Sequence, residues 1–122
     1  MPGHNIVHNA LMLCVLSALV VACNSKLLQA KSAFHAGNYG DARIALTDLE
    51  VASASWSPPD RTVFALYRGM TCQAQGDMEC ARLWLYRAKS AVDAEPNRLD
   101  DGDRARLRLA LESLGDGPRA LP

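Results

Sequence analysis

The chain has 122 residues, of which 49% are hydrophobic and 6% aromatic, enough apolar material for one small packed domain. Its 13 basic and 13 acidic residues cancel, and this neutrality argues against a nucleic-acid-binding protein, which would carry a strong basic excess. Abundant Ala and Leu with few β-branched residues favour helix over strand, so the composition predicts an all-α domain.

The N-terminal 22 residues contain no Lys, Arg, Asp or Glu and end in a 13-residue apolar run at positions 10–22. A membrane-spanning helix needs about 20 apolar residues, so this run suits the apolar region of a secretory signal better than a span. The alternative is a buried helix that ends by chance in a cysteine. The polar, turn-prone pair Asn24-Ser25 directly after Cys23 favours the secretory signal.

The motif Val-Val-Ala-Cys at residues 20–23 resembles the lipobox of bacterial lipoproteins, in which a small residue precedes the lipidated cysteine. The resemblance implies a signal peptide at residues 1–22, removed by cleavage before Cys23, and acyl chains on the thiol and on the new amine of that cysteine. Two or more acyl chains anchor a protein stably to a membrane. The segment departs from the usual pattern because His4 and His8, rather than Lys or Arg, precede the apolar run.

The same resemblance implies a location in the cell envelope. Residues 23–25 would form the lipidated cysteine and a short tether, and the membrane would be one partner of the chain. Asn24 after the cysteine is similar to the outer-membrane sorting signal of some bacteria, so we expect the periplasmic face of the outer membrane.

The first two predicted helices follow this tether. The first covers residues 24–35 and is broken by Gly37-Asn38. The second starts at Gly40-Asp41, and apolar residues recur along it at i, i+3, i+4 and i+7, namely Ala42, Ala45, Leu46 and Leu49.

A Ser-rich loop over residues 53–59, closed by two prolines that we expect to lie outside a helix, separates the second helix from the third. Asp60 is predicted to cap this third helix, which runs to about residue 75. A fourth helix is predicted over 78–92. A fifth over 101–114 begins among acidic residues, whose charge suits a helix N-terminus.

Cysteine usage predicts a disulfide. Cys14 lies in the segment to be removed and Cys23 would carry lipid, which leaves Cys72 and Cys80, each about four residues from Gly76. Positions equidistant from a helix–helix turn face each other, an export compartment is oxidising, and closing this short loop is worth about 2–3 kcal/mol. The alternative is two separate buried thiols. The spacing does not match a zinc knuckle or a redox C-x-x-C motif.

The predicted helices form a repeat. A shift of 39 residues aligns Leu27 with Leu66, Ala30 with Gly69, Gly37 with Gly76, Ala42 with Ala81, Arg43 with Arg82, Leu46 with Leu85 and Ala52 with Ala91. Each half is a helix, a glycine turn and a second helix, which is typical of a helical repeat protein.

This pattern resembles the tetratricopeptide repeat, which has a small residue within its first helix, a glycine turn, an apolar residue after it, and then an early alanine and apolar positions in its second helix. Those places are filled once by Ala30, Gly37, Tyr39, Ala42, Leu46 and Leu49, and again by Gly69, Gly76, Met78, Ala81, Leu85 and Ala88. The family period is about 34 residues, and a longer loop at residues 55–60 accounts for the difference.

The resemblance covers residues 26–95 and implies antiparallel helical hairpins stacked as a short solenoid of about two repeats. The helix at 101–114 would be the C-terminal cap that such arrays need, with Gly115 ending it. We therefore expect a tetratricopeptide-like domain at 26–115 and a flexible tail at 116–122.

No catalytic motif is present: the sequence contains no G-x-S-x-G, no H-E-x-x-H and no glycine-rich phosphate loop. His35 is the single histidine beyond the signal and lies beside a predicted turn, so we expect a solvated surface residue. The acidic residues at 100–103 are better explained as a helix start than as a calcium loop. The sequence therefore predicts no enzyme, metal, cofactor or small-molecule substrate.

Aromatic residues are the predicted contacts for a partner. Trp56 lies in the long loop, and Trp84 and Tyr86 follow each other closely on the fourth helix, where Leu85 and Ala88 should take the core and leave Trp84 partly exposed. Exposed tryptophans are common anchors at interfaces. The alternative is that Trp84 packs against the fifth helix and Trp56 folds back on the third.

Three functions are compatible with this combination of lipobox, helical hairpins and missing catalytic residues. The first is a lipid-anchored module that holds a protein or peptide partner. The second is a pilotin-like lipoprotein chaperone that assists assembly of an outer-membrane secretion or pilus component. The third is an envelope spacer without a specific client.

The fifth helix carries three arginines on its exposed side, namely Arg104, Arg106 and Arg108. They are predicted either to form a solvated face or to contact acidic lipid or a partner.

Overall fold

The computed structural model describes residues 25–115, and all regular structure in that part of the chain is helical, which confirms the all-α prediction. Helix α1 occupies residues 25–35 of the described range. It is followed by α2 (Tyr39–Ser53), α3 (Pro58–Ala74), α4 (Met78–Ala94), a 3-10 turn (Pro96–Arg98) and α5 (Asp101–Ser113).

The predicted signal peptide (1–22), the lipidated Cys23 and the tail at 116–122 lie outside the described residues. Within residues 25–115, no helix is both long enough and apolar enough to cross a membrane.

Glycine turns close helices α1, α3 and α5. Gly37, Gly76 and Gly115 have φ angles of 79°, 80° and 79°, in the left-handed region that L side chains rarely adopt. The interval of 39 residues between the first two glycines also separates the second from the third. The same turn chemistry therefore ends three alternate helices, including the predicted C-terminal one.

The start of α3 differs from the prediction in that both prolines lie within the helix. Ser57 is the N-cap, and its Oγ accepts a hydrogen bond from the backbone N–H of Asp60 at 3.4 Å. Pro58 and Pro59 occupy the first two helical positions, where the missing N–H groups would have had no partner inside the helix. The prediction that Asp60 is the cap was wrong, because Ser57 already supplies the acceptor one turn earlier.

Contacts between the helices define their directions. Tyr67 and Gln73 of α3 meet Asp103 and Ala110 of α5 in the same order along the chain, so these two helices run parallel. Lys31 and His35 near the end of α1 both approach Tyr67. The three-residue turn after α1, and the disulfide that joins the end of α3 to the start of α4, show that α2 and α4 run in the opposite direction. Helix α3 is the central helix, which contacts α2, α4 and α5.

The closest helix contact is between α3 and α4 at Gly69. A Cβ added to Gly69 would lie 2.7 Å from Leu85 Cγ and 2.9 Å from the Leu85 backbone nitrogen. Leu85 is fully buried and fills the space beside the glycine. The small residue that the repeat pattern predicted at this position therefore allows the two helices to approach to backbone contact.

We expect Gly69→Ala to destabilise the protein by about 1–3 kcal/mol, because the methyl group overlaps a backbone atom and side-chain rearrangement cannot relieve it. Urea unfolding followed by circular dichroism measures this change. Gly40→Ala is the matched control, since a Cβ at Gly40 meets nothing within 4 Å and alanine is worth up to about 1 kcal/mol more than glycine in a helix. A Gly69→Ala protein as stable as wild type would contradict the close approach.

Candidate functional site

A disulfide joins the end of α3 to the start of α4. Cys72 and Cys80 are bonded across the turn at Gly76, with their Cα atoms 5.8 Å apart. Cys72 is fully buried, and its Sγ accepts a hydrogen bond from Arg68 Nη1 at 3.0 Å. The structure thus has the bridge rather than two separate thiols.

Asp77 lies beside the disulfide, and one oxygen of its carboxylate and the two Sγ atoms lie within 4.8 Å of one another. Each of these atoms has another partner. The sulfurs are bonded together, Asp77 Oδ1 accepts from the N–H of Cys80 at 3.2 Å, and Oδ2 pairs with Arg43 at 3.4 Å. Asp77 is the N-cap of α4, so this cluster fixes the turn between the helices.

The predicted exposure of Trp84 was wrong, because only 8% of its surface is accessible. Its ring packs edge-on against Phe64 of α3, with the ring centroids 5.5 Å apart. The Arg87 guanidinium lies over the ring, 4.5 Å from its centroid. Trp84 follows Ala81 by three residues and precedes Ala88 by four, so helical spacing places it on the same buried face as Leu85, which the prediction overlooked.

Trp56 is half-buried and its ring also packs edge-on against Phe64 of α3, with the ring centroids 5.8 Å apart. The alternative in which Trp56 folds back on the third helix is therefore confirmed. Tyr86 is 42% exposed on a different side of α4 from Trp84. The three predicted partner-binding aromatics do not form one surface.

Trp84 instead lines a cavity of about 340 Å³ between α2, α3 and α4. We call this cavity the arginine pocket, because three arginines and a single carboxylate line it together with aromatic and small residues. The residues that define it are Arg61, Arg87, Arg98, Glu50, Phe64 and Trp84.

A buried polar network connects α1, α3 and α5. The Tyr67 hydroxyl donates to Asp103 Oδ1 at 3.1 Å, and Arg106 Nη1 donates to the same oxygen at 3.1 Å. His35 Nε2 lies 3.0 Å from the Tyr67 hydroxyl. Because that hydroxyl donates to Asp103, its oxygen accepts from the Nε2–H of His35. The predicted surface histidine is exposed, but it is also held by a buried tyrosine.

Burial of Tyr67, together with the neighbouring Asp103 carboxylate, raises the pKa of its hydroxyl well above the ordinary value. Tyr67 therefore stays neutral and keeps its proton for the bond to Asp103. A tyrosine that acts as a general base needs the opposite shift. The network holds three helices in register.

A second cavity lies beside this network. It has a volume of about 360 Å³ and is lined only by residues of α1, α3 and α5. We call it the apolar groove, since its lining is mostly apolar, with one cation and no carboxylate. The residues that line it are Phe34, Met70, Gln73, Ala74, Arg106, Leu109, Ala110 and Ser113.

Leu109 is the exposed apolar side chain of this groove, with 59% of its surface accessible. Met70 is buried, and Phe34 is half-buried. Gln73 Nε2 donates to the backbone oxygen of Ala110 at 2.9 Å and holds α3 and α5 at this spacing. The groove therefore has a fixed floor and one apolar side chain available to a ligand.

The arginines of α5 have different environments. Arg104 pairs with Asp101 and Arg106 with Asp103, both one turn earlier on the same helix. Arg108 is exposed. The solvated-face interpretation holds for Arg108, whereas Arg106 belongs to the groove.

Sequence reasoning missed the network and both cavities. One signal was present: Asp103 precedes Leu107 by four residues and Ala110 by seven, which is the spacing of a core stripe. An acidic residue at a core position indicates a buried polar partner. No spacing pattern connects residues that lie on three separate helices.

No known protein-family model, no curated protein and no solved structure matches this chain.

We expect Tyr67→Phe to destabilise the protein by about 1–3 kcal/mol, because it leaves a buried Asp103 carboxylate with one hydrogen bond fewer. Thermal or urea unfolding at neutral pH measures the change. Tyr39→Phe is the matched control, since Tyr39 is half-buried and its ring packs against Phe34 without a hydroxyl bond in the described structure. Equal stabilities of the two variants would show that the Tyr67 hydroxyl contributes nothing.

Proposed function

We propose that this protein is a lipid-anchored, tetratricopeptide-like interaction module that binds a peptide segment of a protein partner in the apolar groove. The observation that carries the proposal is the groove itself, which is lined by the three parallel helices α1, α3 and α5. In a stack of helical hairpins, the first helix of each hairpin lines one common surface. The 39-residue spacing of the glycine turns supports the same arrangement for this chain.

The lining of the groove favours a particular peptide. Leu109 and Phe34 offer apolar contact, so an apolar side chain of the peptide would be buried between them. Arg106, which also pairs with Asp103, is the cation in the lining of the groove, and Lys31, outside that lining, lies over the Tyr67 ring at 5.2 Å from its centroid. The single carboxylate of the network, Asp103, is buried and already paired. The expected ligand is therefore an extended segment with an apolar residue flanked by acidic ones.

A binding module of this kind needs no catalytic residue. The chain's one histidine beyond residue 22 is engaged by Tyr67, and that tyrosine retains its proton. The chemistry of the groove is that of binding: apolar contact with a charged margin.

The proposed anchor is the lipid on Cys23, which lies two residues before Ser25 of α1. Such a short tether would hold the domain against the membrane, on the periplasmic face of the outer membrane. The partner would then be a protein that is exposed at that surface.

Selection from a random peptide library tests the groove. We expect the wild-type protein to enrich sequences with an apolar residue beside acidic ones, and Leu109→Ser to bind the enriched peptides about tenfold more weakly, because truncation removes about 1.4 kcal/mol or more of apolar contact. Leu83→Ser is the matched control, since Leu83 is 50% exposed on α4 and does not line the groove.

Two results would contradict this assignment. One is the absence of any consensus among the selected peptides. The other is an equal loss of affinity in the Leu83 and Leu109 variants, which would place the binding surface elsewhere.

Cell fractionation tests the anchor. We expect the wild-type protein in the membrane fraction with a mass increased by acyl chains, and Cys23→Ser to be released or retained as uncleaved precursor, because no thiol is available for lipid. Cys72→Ser is the control for loss of a cysteine that carries no lipid. A mature-length Cys23→Ser protein that stays in the membrane fraction would overturn the lipoprotein assignment.

A further inference from the structure

The arginine pocket has an unbalanced charge. Arg61, Arg87 and Arg98 line it from α3, α4 and the 3-10 turn, and Glu50 is the single carboxylate among the lining residues. The lining of this cavity of about 340 Å³ therefore carries a formal excess of two positive charges, and one of its arginines, Arg98, also pairs with Glu95 outside the lining. Guanidinium groups that converge on one cavity match the geometry of phosphate and carboxylate oxygens.

The arginines have unused hydrogen-bonding capacity. Arg98 Nε is buried and makes no hydrogen bond in the described structure, and its ion pair with the exposed Glu95 is 3.6 Å long. Arg61 makes no side-chain hydrogen bond or ion pair with any residue between 25 and 115, and Arg87 lies over the Trp84 ring. A buried donor without an acceptor is costly, and an anionic ligand would satisfy it.

The arginine pocket lies at the end of the molecule where α1 begins, and the start of α1 is close in the sequence to the proposed lipid anchor. Since α1 and α3 run parallel and α2 and α4 run in the opposite direction, the start of α1 lies at the same end of the molecule as the end of α2 and the start of α3. Glu50 and Arg61 are near that end, and Arg98 follows the end of α4. In the sequence, Cys23 precedes Ser25 of α1 by two residues.

We infer that the arginine pocket is a binding site for a phosphate-bearing anion, supplied by the headgroup of an anionic phospholipid in the membrane to which the chain is anchored. The lipid source rests on the proposed anchor at Cys23, whereas the anion site rests only on the residues of the pocket. Occupation would orient the domain, because the acyl chains hold one point near α1 and the headgroup holds a second between α2, α3 and α4. The apolar groove, on α1, α3 and α5, would remain available to a partner.

Tryptophan fluorescence provides the test, because Trp84 lines the pocket and Trp56 is the only other tryptophan. The full chain, in a neutral detergent, is titrated with three probes: a short-chain phosphatidylglycerol, the matching phosphatidylcholine and glycerol 1-phosphate. We expect a saturable change with phosphatidylglycerol and an affinity at least about tenfold lower for phosphatidylcholine, whose choline offsets the phosphate charge.

Arg61→Gln and Arg98→Gln should each weaken phosphatidylglycerol binding about tenfold or more, since each removes a charge-assisted hydrogen bond. Arg82→Gln is the matched control, because Arg82 is exposed on α4 and does not line the pocket. This variant should bind phosphatidylglycerol as tightly as the wild-type protein does. Thermal unfolding of each variant separates a loss of binding from a loss of stability.

The outcomes separate the possible sources. Glycerol 1-phosphate that binds as tightly as phosphatidylglycerol supports the anion site and overturns the lipid source. The anion site is overturned if neither phosphatidylglycerol nor glycerol 1-phosphate gives a saturable change in fluorescence. It is also overturned if Arg82→Gln weakens phosphatidylglycerol binding as much as Arg61→Gln and Arg98→Gln do. Leu109→Ser should keep the full fluorescence response while it loses peptide binding, so a failure of the groove proposal is distinguishable from a failure of this one.

Discussion

The contact of α3 with α4 at Gly69 and Leu85 is the constraint on which the rest of the molecule depends. The Leu85 backbone nitrogen would lie 2.9 Å from a Cβ at residue 69, so only glycine permits this approach. Helix α3 is enclosed by its neighbours, and ten of its 17 residues are buried. It contacts α2, α4, the 3-10 turn and α5. A domain of this size obtains a core of adequate depth by surrounding one helix with the others.

Surrounding a helix on all sides also buries its polar residues. Tyr67, Arg68 and Thr71 of α3 are all buried, and each must find a partner inside the protein or remain without one. Tyr67 uses Asp103 of α5 and His35 of α1, and Arg68 donates to the sulfur of Cys72. Thr71 Oγ1 makes no hydrogen bond among the described residues. The bonds that satisfy Tyr67 are also those that set the register of α1 and α5.

Both cavities use α3, but from different sides. The apolar groove lies between α1, α3 and α5, whereas the arginine pocket lies between α2, α3 and α4. One presents an apolar side chain with a basic margin, and the other presents an excess of guanidinium charge. Two ligands of different chemistry would therefore not compete for the same residues.

Local patterns in the sequence determined where the helices lie, where the glycine turns end them, that a small residue stands at position 69, and that Cys72 faces Cys80. These features depend on residues close together in the chain, whose geometry is set by helical periodicity and by the conformational freedom of glycine. The same local reasoning predicted Asp60 rather than Ser57 as the N-cap of α3. It treated the two prolines as helix breakers, although proline is also common in the first turn of a helix.

Tertiary structure alone decided which neighbours cover Trp84 and Asp103, and that Phe34, Met70 and Leu109 share a groove. Periodicity identifies the apolar side of each helix but not the neighbour that covers it, nor how far a large side chain such as an indole reaches. Arg61, Arg87 and Arg98 come from three separate elements, and each is an ordinary surface residue in its own segment. They line one cavity only because the fold brings α3, α4 and the 3-10 turn together.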